Sequence, residues 1–170
     1  MDSIAWMWLG AWLVLAPITA LHAADDPAAL RERVLALSRL TAPPATRPAE
    51  GFASEGEVKA ITFDSVPWQG KATRVFAWLG LPSKRDGRIP GIVLVHGGGG
   101  TAYKEWVQKW NAHGFAAIAV ALEGQTDERI PGAPPGAQWQ RHVHGGPART
   151  GIYGDSAARL EDQWMFHAIA

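Results

Sequence analysis

The spacing of apolar residues changes several times along the chain, and each change predicts an element. Ile92-Val93-Leu94-Val95 is a run of consecutive β-formers between Gly91 and His96, with Pro90 just ahead as a break. A continuous apolar run this short predicts a strand buried on both faces, as in a parallel sheet under helices. It empties into Gly97-Gly98-Gly99-Gly100, and a helical pattern begins at Thr101. Tyr103, Trp106, Val107 and Trp110 then fall at i, i+3, i+4 and i+7, one face of an amphipathic helix that Gly114 stops. Phe115 to Leu122 is again uninterrupted apolar sequence, a second buried parallel strand. Strand, helix and strand together predict a right-handed βαβ unit.

The flanks read differently. Asp25-Asp26-Pro27 opens a helix with acidic residues and proline at its first turn, and Leu30, Val34 and Leu37 give it an apolar stripe. Thr41 to Gly56 carries Pro43, Pro44, Pro48 and Gly51 and reads as a linker or wrapping arm. Glu57 to Phe63 and Ala72 to Leu79 are β-rich runs separated by Pro67-Trp68-Gln69-Gly70, an antiparallel hairpin. Lys84 to Arg88 is a solvated turn. Glu123 to Gly154, with four prolines and seven glycines, reads as one long loop, functional or disordered. Asp155 or Ser156 should cap a last helix with Leu160, Trp164, Met165, Ala168 and Ile169 on one face. That pattern is still running at Ala170, so the chain reads as cut.

Composition narrows the class. A 170-residue chain with 47% hydrophobic and 19% charged residues is globular. Its 16 Lys+Arg balance 16 Asp+Glu, so nothing points to nucleic acid or an anionic membrane surface as partner. Without cysteine there is neither a disulfide nor a thiolate metal site. Ile4 to Leu21 is uncharged and apolar, broken by Pro17 and followed by Ala20, Ala23 and Ala24. It reads as a signal peptide cleaved near Ala23, although no Lys or Arg precedes Arg31; an uncleaved anchor is the alternative.

The glycines carry the chemistry. Residues without Cβ leave backbone N–H groups bare, as needed to cradle a phosphate or to hold an oxyanion during acyl transfer. A P-loop requires Gly-Lys-Ser/Thr after its loop, and Gly100 is followed by Thr101-Ala102-Tyr103. The dinucleotide spacing fails as well, with Ala102 in its sixth position, although that motif tolerates Ala. His96 can be a base, but at the end of a strand it reads better as holding the loop. No serine lies in G-x-S-x-G; Ser156 in Gly154-Asp155-Ser156-Ala157-Ala158 comes nearest, and capping explains it better. His142-Val143-His144 has the spacing of half a metal site, but no third ligand is evident nearby. Trp139, Tyr153 and Trp164 either line an apolar pocket or pack in the core.

The segment from Gly91 through Ala102, then Glu105-Trp106-Val107, resembles secreted acetyl xylan esterase-like members of the α/β-hydrolase superfamily, related to dienelactone hydrolases and the prolyl oligopeptidase catalytic domain. Arg141-His142, Gly145-Gly146-Pro147 and Leu160 to Ala168 resemble the same group. The resemblance implies an α/β fold, the N-terminal half of a hydrolase: an antiparallel hairpin, then βαβ of a mostly parallel sheet. The resemblance covers about Glu57 to Ala170, so the chain divides into a signal peptide (1–23), a helix and Pro-rich linker (24–56), both read from the residues above, and a partial hydrolase domain (57–170). It implies a serine hydrolase whose nucleophile, acid and base lie beyond Ala170. The N–H groups of Gly98 and Gly99 would form the oxyanion hole, and His96, Gly97, Gly100, Trp139 and His144 would line the substrate side. The expected partner is a small-molecule or carbohydrate ester outside the cytoplasm, with no cofactor and no metal. Two rivals stand beside it. One is a prolyl oligopeptidase-type peptidase, for whose propeller Asp25 to Gly56 is too short; the other is a binding module that kept the fold without the triad.

Overall fold

A two-residue turn sets the register of the longest strand pair. Gln69 and Gly70 both take positive φ, 49° and 73°, the type I′ geometry whose twist matches that of the flanking strands. It joins β2 (Val58–Trp68) to β3 (Lys71–Gly80) in an antiparallel ladder running from Val58 opposite Gly80 to Trp68 opposite Lys71. The ladder is irregular between Ser65 and Trp68, where Pro67 cannot donate to it. Both strands extend beyond the runs predicted for them, up to the turn itself. The computed structural model describes residues 26–151 and 154–170. The signal-peptide reading of 1–23 and Tyr153 therefore lie outside the described residues.

The expected α/β fold is present. After the hairpin come β4 (Gly91–Val95), α2 (Lys104–Ala112) and β5 (Ala116–Ala121), with β4 and β5 parallel. Helix α1 (Pro27–Ala36) precedes them, and β1 (Thr46–Pro48) leads into β2. The five-stranded sheet has the order β1-β2-β3-β5-β4 and is mixed: β5 runs antiparallel to β3 and parallel to β4. Among the described residues the sheet is thus mostly antiparallel with one parallel pair. Helix α2 packs on β5, β3 and β2, with Val107 fully buried. The alanines of β5 at 117, 119 and 121 are at most 1% exposed, and such short side chains let a helix come close. The core is completed by Phe52, Phe76 and Trp78, whose rings meet at 4.7–6.1 Å in tilted and edge-on contacts.

Four expectations are corrected. Strand β4 is not buried on both faces; it is an edge strand with Val93 64% and Val95 56% exposed, while Ile92 and Leu94 turn to the core. The arm over 41–56 is not structureless. It carries β1, held to β2 by an Arg47–Asp64 ion pair, and it buries Ala49 against the core; Pro48 is tolerated because the strand is an edge. The stretch 123–154 is not one loop, because β6 (Gln125–Arg129) and β7 (Trp139–Arg141) pair into a small antiparallel ribbon. The last helix, α3 (Trp164–Ile169), begins later than expected, after a 3₁₀ turn at Leu160–Asp162. Ser156 does not cap it, whereas the Asp155 carboxylate accepts the Trp164 N–H at 2.7 Å from eight residues outside the helix's first cap position. The Leu37 stripe of α1 is half-buried, and Asp26 caps that helix by accepting the Ala28 N–H. Among the described residues no helix is long and apolar enough to cross a membrane.

Candidate functional site

Parallel strands β4 and β5 end side by side, and the segments after their carboxyl ends face each other. In open α/β sheets this is where ligands bind. From β4 comes the glycine loop, and from β5 comes Leu122-Glu123-Gly124-Gln125. His96 joins the two. Its Nε2 accepts the Leu122 N–H at 3.1 Å, and its Nδ1 lies 2.7 Å from the Gly97 carbonyl oxygen. Because Nε2 accepts, the ring proton sits on Nδ1 and donates to that carbonyl. A buried ring engaged on both nitrogens is a tie between strand ends, the role expected of it over that of a base.

The loop itself is tightly enclosed. A Cβ on Gly100 would lie 2.8 Å from the His96 Cβ. Gly99 has φ 75° and a Cβ there would meet the Gly136 backbone at 3.1 Å, so glycine is required by conformation and by space. The Gly99 carbonyl accepts from the Gln138 amide at 2.7 Å and the Trp139 indole at 3.0 Å. The Gly100 carbonyl accepts from Gln125 at 2.8 Å. The ribbon β6–β7 thus clamps the loop from outside.

Two adjacent donors point differently. Among the described residues the exposed Gly98 N–H has no acceptor. The Gly99 N–H reaches an oxygen of the Glu123 carboxylate at 3.3 Å. The same oxygen accepts from Arg149 Nε at 3.1 Å, an ion pair with both side chains largely shielded from water. The Arg149 guanidinium lies over Gly98, where a Cβ would come within 2.9 Å of its central carbon. Beside this loop opens a cavity of about 470 Å³ lined by Gly99, Glu123, Trp139, Arg141 and Arg149 among others.

Of the residues expected at the site, Gly99 and Trp139 line this cavity, and Gly98 lies beneath Arg149. Gly97 accepts the His96 ring proton and the Gly100 N–H, shaping the loop from within. His144 is elsewhere: it lines a second cavity, of about 640 Å³, together with His142. No group of three metal-ligating side chains exists among the described residues. Sequence reasoning did not single out Glu123, Gln125, Gln138 or Arg149. The available signal for the first two was polar residues immediately after a buried parallel strand, at the sheet's ligand-binding edge.

Two solved structures are similar to this chain. An acetyl xylan esterase from Paenibacillus sp. R4 aligns with TM-score 0.41 and 22% identity over 68% of this chain and 39% of its own. Acetyl xylan esterase 1 from Thermoanaerobacterium sp. JW/SL YS485 aligns with TM-score 0.50 and 19% identity over 85% of this chain and 42% of its own. The second likeness shows the fold, α/β. The chain spans about two-fifths of the length of both. No family model and no curated protein matches the sequence.

Proposed function

We propose that the chain is the part of a serine-type carboxylic ester hydrolase, acetyl xylan esterase-like, that supplies the oxyanion loop, with the nucleophile, acid and base carried outside these residues. The observation that carries this reading is the pair of neighbouring N–H groups in the glycine loop. One is free and the other already holds an anionic oxygen, from Glu123. Donors fixed by a clamped backbone stabilise charge developing on a carbonyl oxygen without reorganising. In this reading a substrate oxyanion takes the place of the Glu123 oxygen and gains the Gly98 N–H. The substrate is a small-molecule or carbohydrate ester, and the protein works outside the cytoplasm after loss of a signal peptide.

The test compares turnover of p-nitrophenyl acetate by the product of the whole reading frame and by residues 24–170 alone. The long product should be active and sensitive to serine-directed inhibitors, and the short one inactive. In the long product Gly98→Val should lower kcat by about 10²–10³, the usual cost of one lost oxyanion donor. Unchanged kcat removes the loop from the mechanism. Inhibitor-sensitive turnover by the short product would instead move the nucleophile into this chain, to Ser156 first. A second reading, a non-catalytic binding module, is favoured by the Glu123–Arg149 pair already seated on the loop, and an inactive long product decides for it.

A further inference from the structure

The larger cavity, of about 640 Å³, lies between the β1–β3 face and the β6–β7 ribbon, and the ester reading makes no use of it. Its size suits a sugar-sized ligand. Arg47, Arg74 and Arg141 line it, against the exposed Glu50 and Glu128, and the Asp64 carboxylate pairs with the first two, so three guanidinium groups meet three carboxylates with histidines counted neutral. The three guanidinium groups are unequal. Arg47 is taken bidentately by Asp64, at 2.5 and 3.1 Å. Arg74 shares with Arg47 the Oδ1 of that carboxylate, 3.7 Å from its Nε, and has no acceptor among the described residues on its terminal nitrogens. Arg141 donates to the carbonyl oxygens of Glu123 and Gly146. Among the described residues no carboxylate lies within ion-pair distance of it. An exposed guanidinium bonded only to neutral oxygens keeps its charge uncompensated by a carboxylate.

His142 lies among these groups. Its Nε2 is buried without a partner among the described residues. Burial, then the neighbouring His144, Arg141 and Arg74, push its pKa below the ordinary imidazole value. A neutral ring nitrogen with nothing to bond is a partner for a hydroxyl. The lining also includes the Thr62 hydroxyl and the Gln140 amide.

We propose that this cavity binds a small hydroxylated carboxylate of sugar-acid type, its carboxylate held by Arg74 and Arg141 and a hydroxyl by His142 Nε2. A fork of guanidinium N–H groups matches a carboxylate in geometry, and a lining without excess positive charge suits a monoanion better than a phosphate dianion.

Calorimetric titration of the product of the whole reading frame with glucuronate, glucose and inorganic phosphate tests this without reference to hydrolysis, so its failure leaves the glycine-loop reading intact. Glucuronate should bind one to one, about tenfold or more tighter than glucose and tighter than phosphate, and should shift the His142 ring signals in the NMR spectrum. Arg74→Gln should weaken glucuronate by about tenfold. Asp64→Asn, which removes the carboxylate competing for Arg74, should tighten it. Glucuronate binding no better than glucose, tighter binding of phosphate, or unaltered affinity in a natively folded Arg74→Gln overturns the proposal. Should Arg74→Gln lose its native circular dichroism, Asp64→Asn decides, and affinity that is unchanged or weaker there overturns it.

Discussion

Strand β5 reads Ala116-Ala117-Ile118-Ala119-Val120-Ala121 and β4 reads Gly91-Ile92-Val93-Leu94-Val95. Both are uninterrupted apolar runs, and β4 has the larger side chains. Yet β5 is paired on both sides and nearly all buried, whereas β4 is paired on one side and alternates exposed with half-buried residues. Apolar sequence reports that a strand can be buried; it does not report how many neighbours it has. The small residues belong to the centre because α2 and the aromatic cluster must approach there. The branched ones on β4 include Val93 and Val95 facing water, on a strand whose outer backbone groups are unpaired among the described residues, the arrangement of an association-prone edge.

Putting one charge on each strand should separate them most. Ala119 is 1% exposed and stands in register between Trp78 and Leu94. Ala119→Asp places a carboxylate among apolar neighbours with no cation supplied, and should cost roughly 3–5 kcal/mol in urea denaturation, enough to unfold much of the population. Val93→Asp should stay within about 0.5 kcal/mol. Equal losses on the two strands would break the comparison.

The tie between the strand ends comes next in size. His96→Ala leaves the Leu122 N–H without its acceptor beside β5, and should cost about 1–3 kcal/mol, read from the urea midpoint. If the ring is dispensable, the midpoint stays where it is.

A pH dependence is expected on the β3 side of β5, where Trp78 donates to Asp127 at 2.6 Å. Burial, the leading cause, raises the Asp127 pKa above the ordinary carboxylate value, against the opposing pull of the Trp78 bond and Lys104. With the folded pKa above the unfolded one, the native state holds more protons in that window. This contribution is therefore present below the unfolded pKa and is lost as pH rises through the folded value. Asp127→Asn keeps an acceptor for Trp78 and should flatten thermal stability against pH from about 4 upward. A slope that survives the substitution assigns it to another group.

The smallest stability effect belongs to the edge. Val93→Lys should change the urea midpoint by less than about 0.5 kcal/mol, while reducing self-association in sedimentation at high concentration, because charge on an edge strand opposes strand-to-strand pairing. Undiminished association would place the sticky surface elsewhere, with Met165 and Ile169 of α3 another exposed apolar pair.

Local rules accounted for much of the molecule. The Gln69-Gly70 turn, the helix ending at Gly114 and the two parallel strands around α2 are all short-range events: a positive φ, a 3.6-residue period, an apolar run. The misread segments share one cause. Strand β1 and the β6–β7 ribbon have three to five residues each, too few to show a period, and they exist because partners from distant sequence pair with them. The Asp155 carboxylate, expected as a cap, does reach helix α3, but across eight intervening residues and a 3₁₀ turn, which puts the start at Trp164.

The candidate site divides the same way. The sequence by itself determined the glycine loop and its place between strand and helix, because a missing Cβ and a change of period are visible residue by residue. It also placed His96 as a holder of that loop, from its position at the strand end. Only the tertiary structure decided what faces the loop. Glu123 and Arg149 are 26 residues apart, and they meet over Gly98 and Gly99 because parallel strands put their carboxyl ends together while the β6–β7 ribbon folds the chain back across them. The gathering of Arg74, Arg141 and His142 around one cavity was equally hidden. Charges act through space, and the distances between them are set by packing, not by their order along the chain.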